Sequence, residues 1–328
     1  MLWLFSIENN GKGFMKDHLN REINYMRISL TDRCNYACYY CKPEIETHLS
    51  HFDIVSYEQI LDICRCAIHL GITRFKITGG EPTIRKGYIE FIRRLKTLEG
   101  VQQVTLTTNG SLLSYADLDE LKEVGIDGIN CSIDTLDLNE YTKICQKNSL
   151  SKVLDNMNYA YFIGIKVKVN CVVDNTFTLS RFESMLTLIK DKKIALRFIE
   201  LMPLKYSEKN NKMNEFIQYI QTNYSIQKYA HCLGNGPATY YTIEGYSGYI
   251  GFIEALHHKF CSTCNRVRLS SIGRLKLCLF HTDGVDLKPY LKDVHQLERV
   301  MEYWIYQKPK EHHFEEENSM TIMNQIGG

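Results

Sequence analysis

The placement of cysteines constrains this chain more than any other feature. Twelve occur in 328 residues, and six of them form two groups, Cys34-x3-Cys38-x2-Cys41 and Cys261-x2-Cys264 followed by Cys278. At this cysteine frequency one three-cysteine spacing arises by chance on the order of 0.02 times per chain, so chance does not account for two. The other six, Cys64, Cys66, Cys131, Cys145, Cys171 and Cys232, read as small buried hydrophobes. The N-terminus, Met1-Leu2-Trp3-Leu4-Phe5-Ser6, turns polar at Glu8 and lacks the basic segment and long apolar stretch of an export signal. No run of 18 apolar residues occurs. The expectation is a soluble cytoplasmic protein, where reducing conditions disfavour disulfides and leave the two groups as thiolate ligands.

Three thiolates at close spacing restrict what they can hold. Structural zinc takes four ligands, commonly as two close pairs. Neither group offers a fourth at a familiar spacing, although His257 and His258 precede Cys261. A four-iron cubane takes one cysteine per iron. Three cysteines therefore leave one iron open to a small molecule.

Short β-branched runs alternate with helical patterns along the first two thirds of the chain. Strands are predicted near 25–30, 74–78, 103–107, 127–133, 166–173 and 194–201. Between the first two, Ile60, Ile63, Cys64, Ala67 and Ile68 mark one face of a helix, with Ser56, Glu58 and Gln59 in its cap region. Further helices are predicted at 87–98, 114–124, 150–162 and 180–191, with Gly71, Gly100, Gly125 and Gly164 near helix ends. Six β/α units imply a parallel sheet, and the fold class is α/β, a partial (β/α)6 TIM-like barrel. Chemistry in such folds collects at the C-terminal ends of the strands. There the chain places Gly79-Gly80-Glu81-Pro82, Thr107-Thr108-Asn109-Gly110, Ser132 with Asp134, Asn170, and Glu200 with Met202.

From about residue 205 the pattern changes to a Gly234-Asn235-Gly236-Pro237 turn and tyrosine-rich strands at 240–243 and 249–253. The expected division is an N-terminal extension (1–14), a barrel (15–204) and a C-terminal region (205–328). The charged stretch 308–319 and the final Gly327-Gly328 read as a mobile tail. The composition, 44% hydrophobic with a net charge of +1, supports a large core and excludes a dominant nucleic-acid footprint.

The first cysteine group, with Tyr40 before its last member, resembles the radical S-adenosylmethionine (SAM) signature, and Gly79-Gly80-Glu81-Pro82 resembles that superfamily's glycine-rich loop. Four further stretches are similar to the GTP 3′,8-cyclase family, which opens molybdenum cofactor biosynthesis. They are Arg27-Ile28-Ser29-Leu30-Thr31-Asp32-Arg33-Cys34, Arg197-Phe198-Ile199-Glu200-Leu201-Met202, Phe260-Cys261-Ser262-Thr263-Cys264-Asn265-Arg266-Val267-Arg268-Leu269 and Cys278-Leu279-Phe280.

The resemblance implies a radical SAM barrel whose C-terminal extension carries a second Fe–S cluster. Cys34, Cys38 and Cys41 would hold a SAM-binding [4Fe-4S] cluster, and Cys261, Cys264 and Cys278 a second one that binds guanine. SAM contacts would come from Tyr40, Gly80, Glu81, Ser132, Arg197 and Met202. GTP contacts would come from Arg27, Lys76, Thr107, Lys168, Arg266, Val267 and Arg268. Arg266, Arg268, Gly327 and Gly328 would act in catalysis.

A 5′-deoxyadenosyl radical would remove the 3′ hydrogen of GTP, and C3′ would join C8, giving (8S)-3′,8-cyclo-7,8-dihydroguanosine 5′-triphosphate. The implied partners are a homodimer mate, a one-electron reductant and, downstream, cyclic pyranopterin monophosphate synthase; neither nucleic acid nor membrane is expected. Physics supports the charge pattern independently, because a triphosphate needs clustered cations. Arg266 and Arg268 share a face if their segment is extended. The chain departs from the family at Lys76, where arginine is usual, and at Ser271-Ile272-Gly273, where an Asp-Gly turn is expected. Two other readings compete: a radical SAM peptide-modifying enzyme with an auxiliary cluster, and a zinc-stapled binding module.

Overall fold

The computed structural model describes residues 15–41, 49–50, 52–202, 212–281 and 283–313. The expected extension 1–14, the boundary at 204, the end of the tail and Gly327-Gly328 lie outside them. Six strands stand where the sequence puts them: β1 (Tyr25–Ser29), β2 (Arg74–Thr78), β3 (Gln103–Thr108), β4 (Gly128–Ser132), β5 (Val167–Val173) and β6 (Ala195–Glu200). They pair in sequence order, all parallel.

The helices also follow local signals. Helix α1 (Tyr57–His69) opens on a reciprocal capping box in which Gln59 N donates to Ser56 Oγ (3.2 Å) and Ser56 N to Gln59 Oε1 (2.7 Å). Helices α2 (Tyr88–Lys96), α3 (Tyr115–Glu123), α5 (Leu150–Phe162) and α6 (Leu179–Leu186) match the predicted segments. Gly71, Gly100, Gly125 and Gly164 all take the left-handed φ that ends a helix without a Cβ penalty. Three helices lie outside the predicted set: α4 (Leu138–Cys145), α7 (Lys212–Asn223) and α8 (Val294–Tyr306).

The C-terminal strands build no sheet of their own. They extend both edges of the six-stranded array. Strand β9 (Tyr249–Ile253) adds in parallel to β6, and β10 (Arg266–Leu269) adds in parallel to β1. Antiparallel β8 (Thr239–Ile243) and β7 (Ile226–Lys228) continue one edge, and β11 (Arg274–Lys276) and β12 (Gly284–Asp286) the other. The parallel array therefore has eight strands, two more than the sequence reading gives.

The face of the sheet toward the helices is apolar throughout, with Met26, Ile28, Phe75, Ile77, Val104, Leu106, Leu196 and Phe198 all buried. The opposite face carries Arg27, Lys76, Thr105, Asn130, Lys168 and Arg197. A closed TIM barrel packs that interior with branched side chains; here it is polar and encloses a chamber instead. Among the described residues no helix is long and apolar enough to cross a membrane.

Candidate active site

The chamber, a cavity of about 410 Å³, runs the length of the barrel, from Tyr25 and Gln103 at the strand starts to Gly80, Ser132 and Met202 at the strand ends. Its two mouths carry the two cysteine groups. Cys34, Cys38 and Cys41 follow the C-terminal end of β1, whereas Cys264 comes just before the first residue of β10, which is level with the first residue of β1. Because β9 and β10 both run parallel to β1, the chain between Ile253 and Arg266 must descend the open side of the barrel, carrying Cys261 and Cys264 to the N-terminal mouth. The second group thus lies opposite the rim where the sequence reading gathers the chemistry. A five-residue strand separates the two levels, roughly 17 Å at about 3.3 Å per residue.

The first group is held by its neighbours in the barrel. Gly80 N donates to Thr31 O (2.6 Å) and Glu81 N to Arg33 O (2.8 Å). A Cβ on Gly80 would overlap the Arg33 carbonyl, so glycine is required here by backbone approaching backbone. At the C-terminal end of α4, Cys145 O and Ile144 O accept from Ala37 N and Tyr39 N, which satisfies helix carbonyls that have no partner within the helix. Tyr40 OH donates to Asp134 Oδ2 (2.6 Å), while Val172 N fixes the other Asp134 oxygen (2.8 Å). Burial pushes the Cys38 thiol up, and Asp134 and the two sister thiols add to the shift.

Glu81 lines the chamber, yet both its oxygens are committed to the protein. Oε1 accepts from Thr83 N (3.2 Å), Thr83 Oγ1 (2.6 Å) and Thr108 Oγ1 (2.6 Å), and Oε2 from Asn109 N (2.7 Å). It caps the turn at Pro82–Ile84 and ties β2 to β3 while still lining the chamber. The carboxyl is raised by burial, against four stabilising hydrogen bonds.

Between the mouths lies a belt of cations. Arg27 is level with Arg268 on one side and Lys76 on the other, Asn130 with Lys168, and Asn170 with Arg197. The sheet curls so far that Lys76 on β2 is depressed, after burial, by Arg197 on β6, then by Arg27, Lys168 and Arg266. Burial, then Arg197 and Lys166, bring Lys168 down to about 7. Arg27 and Arg268 are lowered in the same way. Arg197 Nε and Arg266 Nε are buried with no hydrogen-bond partner, a costly state that an anion would relieve. Lys168 Nζ donates to Leu233 O, which holds the Gly234–Pro237 turn across the N-terminal mouth.

Every sequence-predicted contact within the described residues lines the chamber except Val267. On β10 its side chain points away from Arg266 and Arg268 into the core, as strand alternation requires, so only its backbone is available to a ligand. Cys232 is also a correction, being exposed where the sequence reading buries it; the other five non-group cysteines are buried. Sequence reasoning missed Asn130, which bridges Arg197 Nη2 (2.9 Å) and Thr107 Oγ1 (3.2 Å). Its position two residues before Ser132 on one strand was the available signal.

Comparison with known proteins supplies the family. Residues 28–189 match the radical SAM superfamily model, and residues 194–314 match the model described as Molybdenum Cofactor Synthesis C. A GTP 3′,8-cyclase of Peptoclostridium acidaminophilum is 38% identical over 97% of this chain and 100% of its own length. Those of Alkaliphilus oremlandii and Clostridium perfringens strain 13 are 36% and 34% identical over 96% of the chain and 100% of theirs. The chain belongs to the GTP 3′,8-cyclase family.

Among solved structures, Streptococcus suis SuiB bound to precursor peptide SuiA matches with a TM-score of 0.65 and 15% identity, covering 89% of this chain and 67% of that one. Native anSMEcpe with bound AdoMet matches at 0.50 and 18%, covering 61% and 60%. These share the fold. Each mouth offers three cysteines, the number that would leave one iron of a four-iron cubane without a protein ligand.

Proposed function

We propose that this chain is a radical SAM GTP 3′,8-cyclase, converting GTP to (8S)-3′,8-cyclo-7,8-dihydroguanosine 5′-triphosphate in the first step of molybdenum cofactor biosynthesis. One observation carries the reading: two three-cysteine groups stand at opposite mouths of a single chamber whose middle is cationic, in a chain similar to cyclases over nearly its whole length. Cys34, Cys38 and Cys41 would hold a [4Fe-4S] cluster whose chemistry would be one-electron reductive cleavage of SAM to methionine and a 5′-deoxyadenosyl radical. Cys261, Cys264 and Cys278 would hold a second cluster, whose iron without a cysteine would be open to the guanine.

Tyr40, Gly80, Glu81, Ser132, Arg197 and Met202 would hold SAM at the upper mouth, with Glu81 also bracing the loop. Arg27, Lys76, Thr107, Lys168, Arg266 and Arg268 would bind the nucleotide, the cations taking its phosphates through charge-assisted hydrogen bonds. Fixing the triphosphate orients the ribose toward the upper mouth and limits the motion of C3′ relative to C8. Once the adenosyl carbon has taken the 3′ hydrogen atom, C3′ bonds to C8; one electron and one proton then complete the 7,8-dihydro ring. Gly327 and Gly328, which lie outside the described residues, would act as catalytic residues on the strength of the family resemblance. The reading includes a homodimer, a one-electron reductant, a cytoplasmic location and product consumption by cyclic pyranopterin monophosphate synthase.

The test is anaerobic reconstitution with iron and sulfide, followed by incubation with SAM, reductant and GTP. The reading expects about eight iron per chain, 5′-deoxyadenosine, and a product isomeric with GTP by mass spectrometry. SAM cleavage without any GTP-derived product would refute it.

A further inference from the structure

The second cysteine group is assembled from two separate stretches of chain, and a third joins them. Cys261 and Cys264 lie on the descending segment, and Cys278 follows β11. Neither is braced by a neighbouring helix end as the first group is by α4. What touches both is the segment after α8, residues 308–313. Lys308 is buried, and its Nζ donates to Arg266 O (2.9 Å), beside Cys264, and to Leu277 O, beside Cys278. His281 Nε2 meets Glu311 O (3.0 Å). The backbone N–H of His312 faces the Cys261 sulfur.

The segment is itself pinned by one side chain from the far end of the sequence. Arg21 is buried, and each of its five N–H donors has an acceptor. Nε donates to Asp17 Oδ2 (2.6 Å), Nη1 to Cys261 O (2.8 Å) and Lys310 O (3.0 Å), and Nη2 to Lys308 O (3.0 Å) and Pro309 O (2.8 Å). Asp17 in turn accepts from Leu19 N (3.0 Å) and Arg21 N (2.9 Å). A guanidinium is the one side chain whose fixed fork can serve five acceptors at once. No donor is left for a ligand, so this arginine is a staple and not part of the anion site.

We propose that residues 308–313 form a strap that pre-assembles the second cysteine group, with Lys308 and Arg21 as its positioning residues. The inference rests on reading that group as a cluster site. None of the Lys308 and Arg21 contacts needs a metal ligand's side chain, so the strap would hold the two cysteine-bearing stretches together whether or not iron is bound. The first group needs no such device, because one continuous loop carries its three cysteines.

The test compares wild-type protein with Lys308→Met and Arg21→Lys after anaerobic reconstitution of the full chain. Iron and sulfide are counted per chain, Mössbauer spectra recorded, and 5′-deoxyadenosine formation followed as a check on the first site. In both variants iron falls from about eight to about four per chain, while 5′-deoxyadenosine still forms. Arg21→Lys keeps the charge but loses most of the fork, and it serves if Lys308→Met fails to fold. Eight iron with the wild-type spectrum in either soluble variant would overturn the proposal, as would joint loss of both clusters in each. Wild-type protein holding four iron would instead sink the functional reading on which the proposal stands.

Discussion

The two mouths of the chamber use the same three-thiol device in opposite surroundings. At the upper mouth burial, and after it Asp134, raises the Cys38 thiol, and the loop is secured by adjacent strands and the end of α4. At the lower mouth Lys308, Arg266 and Arg21 surround Cys264 and, against the cost of burial, hold its thiol below the usual value. The cationic surroundings of the lower mouth suit the docking of an anionic nucleotide.

Removing thiols breaks this comparison most sharply. Replacing Cys34, Cys38 or Cys41 with Ala should reduce 5′-deoxyadenosine formation below detection, whereas Cys261→Ala should spare part of it and eliminate the cyclised nucleotide. Chromatography of both products decides, and equal loss from both ends would contradict the division of labour. A smaller but still large effect is expected from Gly80→Ala, whose new methyl would overlap the Arg33 carbonyl. Strain of this kind costs roughly 1–3 kcal/mol, so the melting temperature should fall and iron should be lost from the upper site first. Loss of lower-site iron instead would refute the local bracing.

The mildest test concerns the belt between the mouths. Lys168 titrates at about 7 in the free protein, so its ammonium is present below that pH and lost above it. A triphosphate needs the charge and would draw a proton on binding. The GTP dissociation constant should therefore rise with pH above about 7, approaching about tenfold per unit at the steepest, with proton uptake visible by calorimetry in buffers of different ionisation heat. A flat profile would remove Lys168 from the phosphate site.

The upper end was legible in the sequence because its determinants are contiguous. Six strands, the Ser56 cap, the Gly79-Gly80 loop and the first cysteine group all lie within short windows, where period and spacing carry the information. The lower end was legible only in part. Alternation along β10 set Arg266 and Arg268 on one face, and the same rule points the Val267 side chain into the core, leaving only its backbone to a ligand. That β9 and β10 would extend opposite edges of the array had no local signal, since strand pairing is decided by tertiary geometry. Arg21 and Lys308 carry no signal in the sequence, because most of their partners are backbone carbonyls, which no residue pattern reveals. Helix α8 did carry a signal, Leu297, Met301 and Ile305 four apart on its buried face, and it was overlooked.

The central claim is that two iron centres sit at opposite mouths of one cationic chamber. Anomalous diffraction at the iron edge from anaerobically grown crystals measures this directly. The account predicts two iron sites per chain, roughly 17 Å apart along the strand direction, one beside Cys38 and one beside Cys264. A single iron site, or two on the same rim of the barrel, would contradict it.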